Sequence, residues 1–558
     1  MILSWWEVTP AMFVRVKKTG NYSYVQIVEN HREGTTVKQR VVATIGQYEE
    51  LSSSGKLDDL ARSFLKHTKT VRVIDAHRDG SLRARRTRKL GPALVFDRLW
   101  HELGIATVLE ELLEAKRFRF SAERAIFLTV LHRLFDPGSD RSAEHWKEDY
   151  LIEGAEKLEL QHLYRSMAWL GEGFIQLGAD PRTLKLRKDL IEERLFTRNR
   201  DLFSELEIVF FDTTSLYFEG SGGESLGQYG HSKDSRPDLR QMIVGAVLDG
   251  KGRPLCCELW PGNISDVTAL VPVVERLKMR FGIASVCVVA DRGMISAGTI
   301  ADLEGGGADI SYILGVRMRK TVEVRDEVLP SDESFTEVVG PRRSAKDPSP
   351  LAVREQWIEG RRYVVCRNEN QARKDAADRA LIVESLREKL KGGDKGLVGN
   401  NGYRKFLKIA GGEHFAIDEQ RIEDESRYDG MWVLRTNIDL SAAEVALKYK
   451  QLWMVEDLFR SVKSVLSTSP IYHKVDDTIR GHVFCSFLAL VLLKELESRL
   501  AARDQKCAWD DIKRDLCALE EVEVEVEGEP WFLRTDVRGA CGTVLKAAGV
   551  AVPPTAHG

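Results

Sequence analysis

IVFFDTTS, residues 208–215, sets an acid, Asp212, directly behind the apolar run Ile208 to Phe211. A second stretch, VCVVADRGM at 286–294, repeats the device, with Asp291 behind Val286 to Ala290. Continuous apolar runs of this length suit strands covered on both faces. An acid behind such a strand emerges at the sheet's edge, where open α/β sheets place their sites. Around these two stretches the chain alternates strand and helix. SLYFE follows Asp212, MIVGAVLD starts at Met242, RPLCCELW starts at Arg253, and a helix spans Val267 to Phe281 before the Asp291 strand.

A third acid lies in YKQLWMVEDLFRSVKS, residues 449–464. At about 100° per residue, Tyr449, Trp453, Glu456, Arg460 and Lys463 share one helical stripe. Leu452, Val455, Phe459, Val462 and Leu466 form an apolar stripe that would bury against a sheet. Two acids behind strands and a glutamate on a helix make a three-carboxylate set. Such a set suits hard, oxygen-seeking cations, Mg²⁺ or Mn²⁺, and the two-metal cleavage of phosphodiesters.

Asp212, Asp291 and Glu456, with the Tyr449, Glu456 and Lys463 spacing, resemble the DDE transposases of the IS4-like superfamily and most of all its IS1634 branch. That superfamily's signature helix reads Tyr, two residues, Arg, three residues, Glu, six residues, Lys; Leu452 here stands at the arginine position, and Arg460 is the nearest replacement. HRLFDPGSDRSAEHW from His132, LYRSMAWL from Leu163, YGHSKDSRPDLRQMIVGAVLD from Tyr229 and PIYHKVDDTIRGHVF from Pro470 fit the same branch, in the same order. The resemblance implies an RNase H-like α/β core, and three strands, a helix and a fourth strand are the order of such a sheet.

It further implies two Mg²⁺ or Mn²⁺ ions on Asp212, Asp291 and Glu456, cleavage at the ends of an insertion sequence, and strand transfer into target DNA. Terminal inverted repeats and target DNA are the expected partners, with a dimer on DNA and a bacterial cytoplasm also expected. Tyr449, Arg460 and Lys463 would hold the phosphate backbone, with Lys233, Arg236 and Arg240 of the 229–240 loop near the metals. A same-fold nuclease without strand transfer and a non-catalytic DNA-binding derivative are the alternatives. The presence of all three acids argues against the latter.

The rest of the chain divides as follows. Residues 1–70 read as a small β module: MFVRVKKTG, YSYVQIVEN, a HREG turn and TVKQRVVATIG. Residues 1–11 fit no element and are compatible with an upstream extension. Residues 71–91 read as a basic linker in which Arg83, Arg85, Arg86, Arg88 and Lys89 could neutralise several phosphates. Helical spacing dominates 92–205, and the resemblance gives that region a DNA-binding role. The core's first part is 206–308, a β-rich insertion 309–440, the second part with the glutamate helix 441–505, and a C-terminal tail 506–558. Within the insertion ISYILGVRM, TVEVRDEVL, FTEVV, REQWIEGRRYVVCR and MWVLRTN read as strands around a helix at Gln371 to Leu390. A long helix is expected from Thr478 to Leu500, and the acid–apolar alternation VEVEVEGEPWF from Val522 predicts an edge strand.

Composition bounds these expectations. At 558 residues the chain exceeds one core, and 43% hydrophobic residues suffice for packed domains. A net charge of -3 gives no global pull toward nucleic acid, so contacts must come from local basic patches. The eight cysteines contain no C-x-x-C pair, which fits a reducing compartment rather than a zinc knuckle or disulfide framework. Val483 to Leu493 is too short an apolar run to span a bilayer, and no membrane association is expected.

Overall fold

The computed structural model describes residues 12–33, 36–66, 83–175, 184–199, 206–283, 285–305, 310–331, 333–338, 351–391, 405–409, 415–526 and 529–557. Residues 1–11 and 67–82, the latter including the first part of the expected basic linker, fall outside that set. The chain forms two units. One comprises Met1–Lys89, Ala518–Val537 and Val552–Gly558, and the other Leu90–Cys517 with Arg538–Ala551.

In the first unit β1 (Met12–Thr19), β2 (Tyr22–Glu33) and β3 (Thr36–Gln47) pair as an antiparallel sheet. Two helices, Tyr48–Ser53 and Lys56–Lys66, follow. β4 (Arg83–Lys89) is a strand where a linker is expected. Its partner accounts for the difference, and it comes from the far end of the chain.

The second unit opens with the helices Gly91–Glu102, Ile105–Leu113, Ala122–Phe135, Asp140–Trp146, Leu160–Gly171 and Arg187–Asn199. A two-stranded piece, β5 (Gly173–Ile175) with β6 (Leu184–Leu186), interrupts them. The large sheet begins at β7 (Leu206–Tyr217), joined antiparallel by β8 (Gln241–Leu248), which is paired in turn with β9 (Pro254–Pro261). After the helix Asp266–Phe281, β10 (Ser285–Ala290) lies parallel to β7 on its other side, and β11 (Ile310–Val316) lies parallel to β10. All eight residues of β8 are buried, as a strand covered on both faces requires.

The strands after β11 extend the same sheet rather than forming a separate body. β12 (Thr336–Val338), β13 (Leu351–Ile358) and β14 (Arg361–Asn368) come next in the chain, and β15 (Leu407–Ile409) and β16 (Phe415–Ile417) form a small hairpin apart. With β17 (Met431–Thr436) the order across the sheet is β12-β13-β14-β17-β11-β10-β7-β8-β9. ISYILGV, counted by its sequence with the insertion, is therefore a parallel strand of the core. TVEVRDEVL is not a strand: Val324 and Val328 are both fully buried on one helical turn, a spacing of four that overrides the apparent alternation. The β13–β14 turn puts Glu359 and Gly360 at φ 47 and 77, the left-handed pair a tight hairpin needs.

The helix Glu369–Lys391 follows β14 and the helix Asp476–Ala501 runs through the core, with fifteen of its residues buried. Among the described residues no helix is long and apolar enough to cross a membrane.

The C-terminal tail closes the first unit. β18 (Glu520–Val526), β19 (Glu529–Arg534) and β20 (Ala556–His557) form a four-stranded sheet in the order β20-β19-β18-β4. The acid–apolar strand is thus interior, not an edge. Its apolar side packs Val522, Val524, Trp531 and Leu533 together, while its acids stand opposite the arginines of β4: Glu521 faces Arg88, Glu523 faces Arg86 and Glu525 faces Arg83. Opposite charges across antiparallel strands favour this pairing, which neither segment's composition reveals alone.

Candidate active site

Register brings the two aspartates together. β10 pairs with β7 from Ser285↔Leu206 to Ala290↔Phe211, so Asp212 and Asp291 are the next residues on two adjacent parallel strands. Asp212 does not end its strand, because β7 continues to Tyr217 against β8, with Asp212 opposite Ala246. It sits instead where β10 stops. Asp291 leaves the sheet into a short turn, Arg292–Met294, which Arg317 fastens by donating to the carbonyls of Arg292 (3.0 Å) and Gly293 (3.0 Å).

Burial pushes the Asp212 carboxyl up to about 6; Lys233 opposes this and the like charges of Asp291 and Asp266 reinforce it. Its Oδ1 accepts the Thr213 amide at 2.7 Å. Lys233 folds inward: its Nζ donates to Thr213 O (2.7 Å) and Thr213 Oγ1 (2.8 Å) and pairs with Asp266 Oδ2 at 3.1 Å. Thr213 Oγ1 in turn donates to Asp266 Oδ1 at 2.6 Å. Asp266 is a carboxylate that the sequence analysis missed. It opens the helix Asp266–Phe281, where an acid reads as an ordinary helix-start residue.

The expected helix over 449–464 is three pieces. The helix Ala442–Lys450, held at its start by a Ser441–Glu444 capping box, ends just past Tyr449. Amides of Leu452, Met454 and Val455 then bond three residues back, tightening the turn before the helix Trp453–Arg460. A wider turn, Ser461–Val465, follows. The single stripe drawn through Tyr449, Trp453, Glu456, Arg460 and Lys463 is therefore broken at Gln451–Leu452 and again after Arg460. The apolar stripe survives, with Leu452, Val455, Phe459, Val462 and Leu466 all buried.

Tyr449 reaches the acids directly, its hydroxyl donating to Asp291 Oδ1 at 2.9 Å. Burial and the Asp291 charge raise its pKa, so it remains a proton donor. Gly315 makes room for it, since a Cβ there would collide with the Tyr449 hydroxyl. Glu456 is exposed on a helix that packs against β7 and β8. Among the described residues, Asp212, Asp291 and Glu456 are not a set whose ligand atoms all lie within 4.8 Å of one another. Like charges at close range repel.

The cations assigned to phosphate have partners in this structure. Lys463 pairs with Asp234, also missed from sequence. Arg240 donates to the carbonyls of Ser221 (3.2 Å) and Gly227 (3.3 Å), and Arg236 pairs with Asp238. Arg460, 71% exposed, has among the described residues a 3.2 Å side-chain contact to Asp457 one turn back, and Leu452 is buried with 6% exposed. In the other unit Arg85 pairs with Glu525 and Arg88 with Glu521.

The chain matches two protein families. Residues 14–74 match the IS1634 family transposase N-terminal domain, and residues 204–492, more than half the chain, match the transposase DDE domain. No curated protein matches it. Among solved structures it is similar to the cryo-EM structure of a piggyBac transposase synaptic complex with hairpin DNA, at 12% identity and a TM-score of 0.37 over 76% of this chain and 79% of that one. The two family matches, in order along one chain and with the second spanning both aspartates and the glutamate helix, make this protein a DDE transposase of the IS1634 family: an insertion-sequence enzyme that cuts and transfers phosphodiester bonds.

Proposed function

We propose that Asp212, Asp291 and Glu456 are the carboxylates that hold two divalent ions, Mg²⁺ or Mn²⁺, and that the chain uses them to nick DNA at an element's terminal inverted repeats and join the freed ends to target DNA. The observation that carries this is the register of β7 and β10, which sets Asp212 and Asp291 level on adjacent strands. The donor set is all oxygen, which fits hard cations. Burial raises the Asp212 carboxyl, with smaller contributions from Asp291 and Asp266, and a bound dication would favour its ionised form. The strand succession β9-β8-β7-β10-β11 supports an RNase H-like core, extended at one side by the inserted strands.

The metal ions would supply Lewis acidity at the entering and leaving oxygens of an in-line displacement. The chain's own residues do the rest. Tyr449 fixes one oxygen of Asp291 and so leaves the other for a ligand. Lys233, braced on Thr213 and Asp266, holds positive charge beside Asp212 and favours its ionised form. Lys463 and Arg460 lie along the glutamate helix and its continuation, where they can take phosphate oxygens, Arg460 in bidentate fashion in place of the leucine at 452. The helical region 92–205 is proposed to grip end DNA, with two chains bringing two ends together.

The test is Mg²⁺-dependent cleavage of end DNA by Asp212→Asn, Asp291→Asn and Glu456→Gln. Each change should lower cleavage by at least about a thousandfold while DNA binding persists, because a metal set acts as a unit. Full cleavage by any one variant removes that residue from the set. A strand-transfer assay with precut ends separates a transposase from a nuclease, and loss of joining with cutting intact would favour the latter.

A further inference from the structure

Two of the family-like stretches, HRLFDPGSDRSAEHW and PIYHKVDDTIRGHVF, are not absorbed by this mechanism, yet the fold brings them together. Asp140 opens the helix Asp140–Trp146; His473 stands in the loop after the glutamate helix; His482 lies nearly two turns into the helix Asp476–Ala501. Asp140 and His482 are buried and His473 keeps 13% of its side chain exposed. One ligand atom from each residue lies within 4.8 Å of the other two.

The detailed geometry is that of converging lone pairs. His473 Nε2 is 3.2 Å from Asp140 Oδ2 and 3.1 Å from His482 Nδ1. Metal–ligand bonds of about 2.0–2.1 Å in a tetrahedral site put neighbouring ligand atoms about 3.3 Å apart. One imidazole proton on His473 Nε2 can serve Asp140 Oδ2, and His482 Nδ1 then takes its proton from Arg133, so the 3.1 Å approach of the two imidazole nitrogens is a contact between lone-pair positions that a metal could bridge. His482 is already oriented, its Nε2 contacting the Thr468 carbonyl at 3.3 Å, which fixes the proton there and turns the Nδ1 lone pair toward His473. A backbone carbonyl on the far nitrogen is the usual support of a ligating histidine.

Arg133 is the competing cation. It donates to His482 Nδ1 at 2.9 Å and to Ser486 Oγ at 3.2 Å, it lies 3.8 Å from Asp140 Oδ1, and its Nε has no partner. Asp140 thus offers Oδ1 to the guanidinium and Oδ2 to the imidazoles. With a metal on Nδ1, Arg133 would give up that one bond and keep Ser486 and Asp140 Oδ1, becoming the support of the ligating carboxylate.

We propose that Asp140, His473 and His482 form a second metal site, separate from the Asp212 carboxylates, that takes a zinc-class dication with solvent in the fourth position on the side of His473, the least buried of the three. Two nitrogens and one oxygen select zinc over magnesium. Such a site would clamp the loop between Leu466 and Asp476 to the helical region, and that loop is tied to β7 through the Ile471 amide and the Tyr217 carbonyl at 3.0 Å.

The experiment is elemental analysis of untagged, full-length protein expressed with added zinc and passed through gel filtration. The wild-type protein should carry about one zinc per chain, as a structural-affinity site retains its metal. His473→Ala, at the rim where folding is tolerant, and Asp140→Asn should each lose most of it, whereas Asp212→Asn should keep it. Replacement by Co²⁺ should give tetrahedral visible bands that His473→Ala abolishes. Zinc-free wild-type protein, or a His473→Ala variant with undiminished zinc and an unchanged cobalt spectrum, overturns the proposal.

Discussion

Two sets of paired charges, one in each unit, use the same kinds of side chain to different ends. In the four-stranded sheet Arg85 and Glu525 pair while 52% and 34% of their side chains stay exposed. In the core, Lys463 and Asp234 keep 28% and 22%, Lys233 and Asp266 keep 28% and 23%, and Lys233 also donates twice to a buried threonine. Exposed pairs contribute about 0.2–1 kcal/mol and are screened by salt. Half-buried charges with several hydrogen bonds contribute more, about 1.5–3 kcal/mol for each bond to a charged group. Arg85 can therefore exchange Glu525 for phosphate at small cost, whereas Lys233, bonded to both Thr213 and Asp266, is committed to a geometry. Basic residues that look alike in sequence differ by what they are already bonded to.

The sharpest way to break that contrast is Lys233→Met. It removes the charge that sits beside Asp212 and leaves Asp266 half-buried without its cation. Cleavage should fall by about a hundredfold or more, the scale of a lost electrostatic group in a water-poor site. Urea denaturation should show a destabilisation of about 1–3 kcal/mol. Wild-type cleavage by a folded Lys233→Met protein would mean that the lysine only closes a loop.

A smaller effect is expected at Arg460, which belongs to the core by sequence but resembles the sheet's arginines in exposure. Its exposed 3.2 Å pairing with Asp457 can be exchanged for phosphate at small cost. Arg460→Ala should reduce end binding or cleavage about tenfold, or about 1.4 kcal/mol, measured with labelled end DNA. Leu452→Arg should restore nothing, because Leu452 is buried and a guanidinium there would displace packing. Normal cutting by Arg460→Ala places the arginine duty on another element.

How far the sequence foretold this arrangement depends on the range of the interaction. The runs before Asp212 and Asp291 carried their own evidence, since strands buried on both faces are written as unbroken apolar stretches. The level pairing of the two aspartates is a matter of register, set by residues far apart, and is invisible locally. The glutamate helix shows the same limit: its buried stripe follows from spacing, whereas the tightened turn at Leu452 and the wide turn at Ser461–Val465 do not. Asp266 and Asp234 were missed because each looks like a common cap or loop acid until the fold brings a lysine to it. VEVEVEGEPWF was legible as a strand but not as an interior one, because its neighbour β4 lies more than 430 residues earlier and reads as a linker.

The smallest effect tests the sheet itself. Arg83, Arg86 and Arg88 face Glu525, Glu523 and Glu521 across β4 and β18, and Arg85 pairs with Glu525. If these arginines serve DNA as well as the sheet, the glutamates are competitors for phosphate. Glu521→Gln, Glu523→Gln and Glu525→Gln together should then raise affinity for unrelated duplexes several-fold at low salt. Each arginine released to a phosphate should steepen the dependence of log affinity on log salt by about 0.9. Replacing Arg83, Arg85, Arg86 and Arg88 by Ala should do the opposite and weaken binding alike on all sequences. The fold should tolerate the glutamine set, since the apolar side formed by Val522, Val524, Trp531 and Leu533 is untouched. Binding titrations over a range of salt decide it: an unchanged slope in both sets would return the acid and base strands to a purely structural role and leave DNA contact to the other unit.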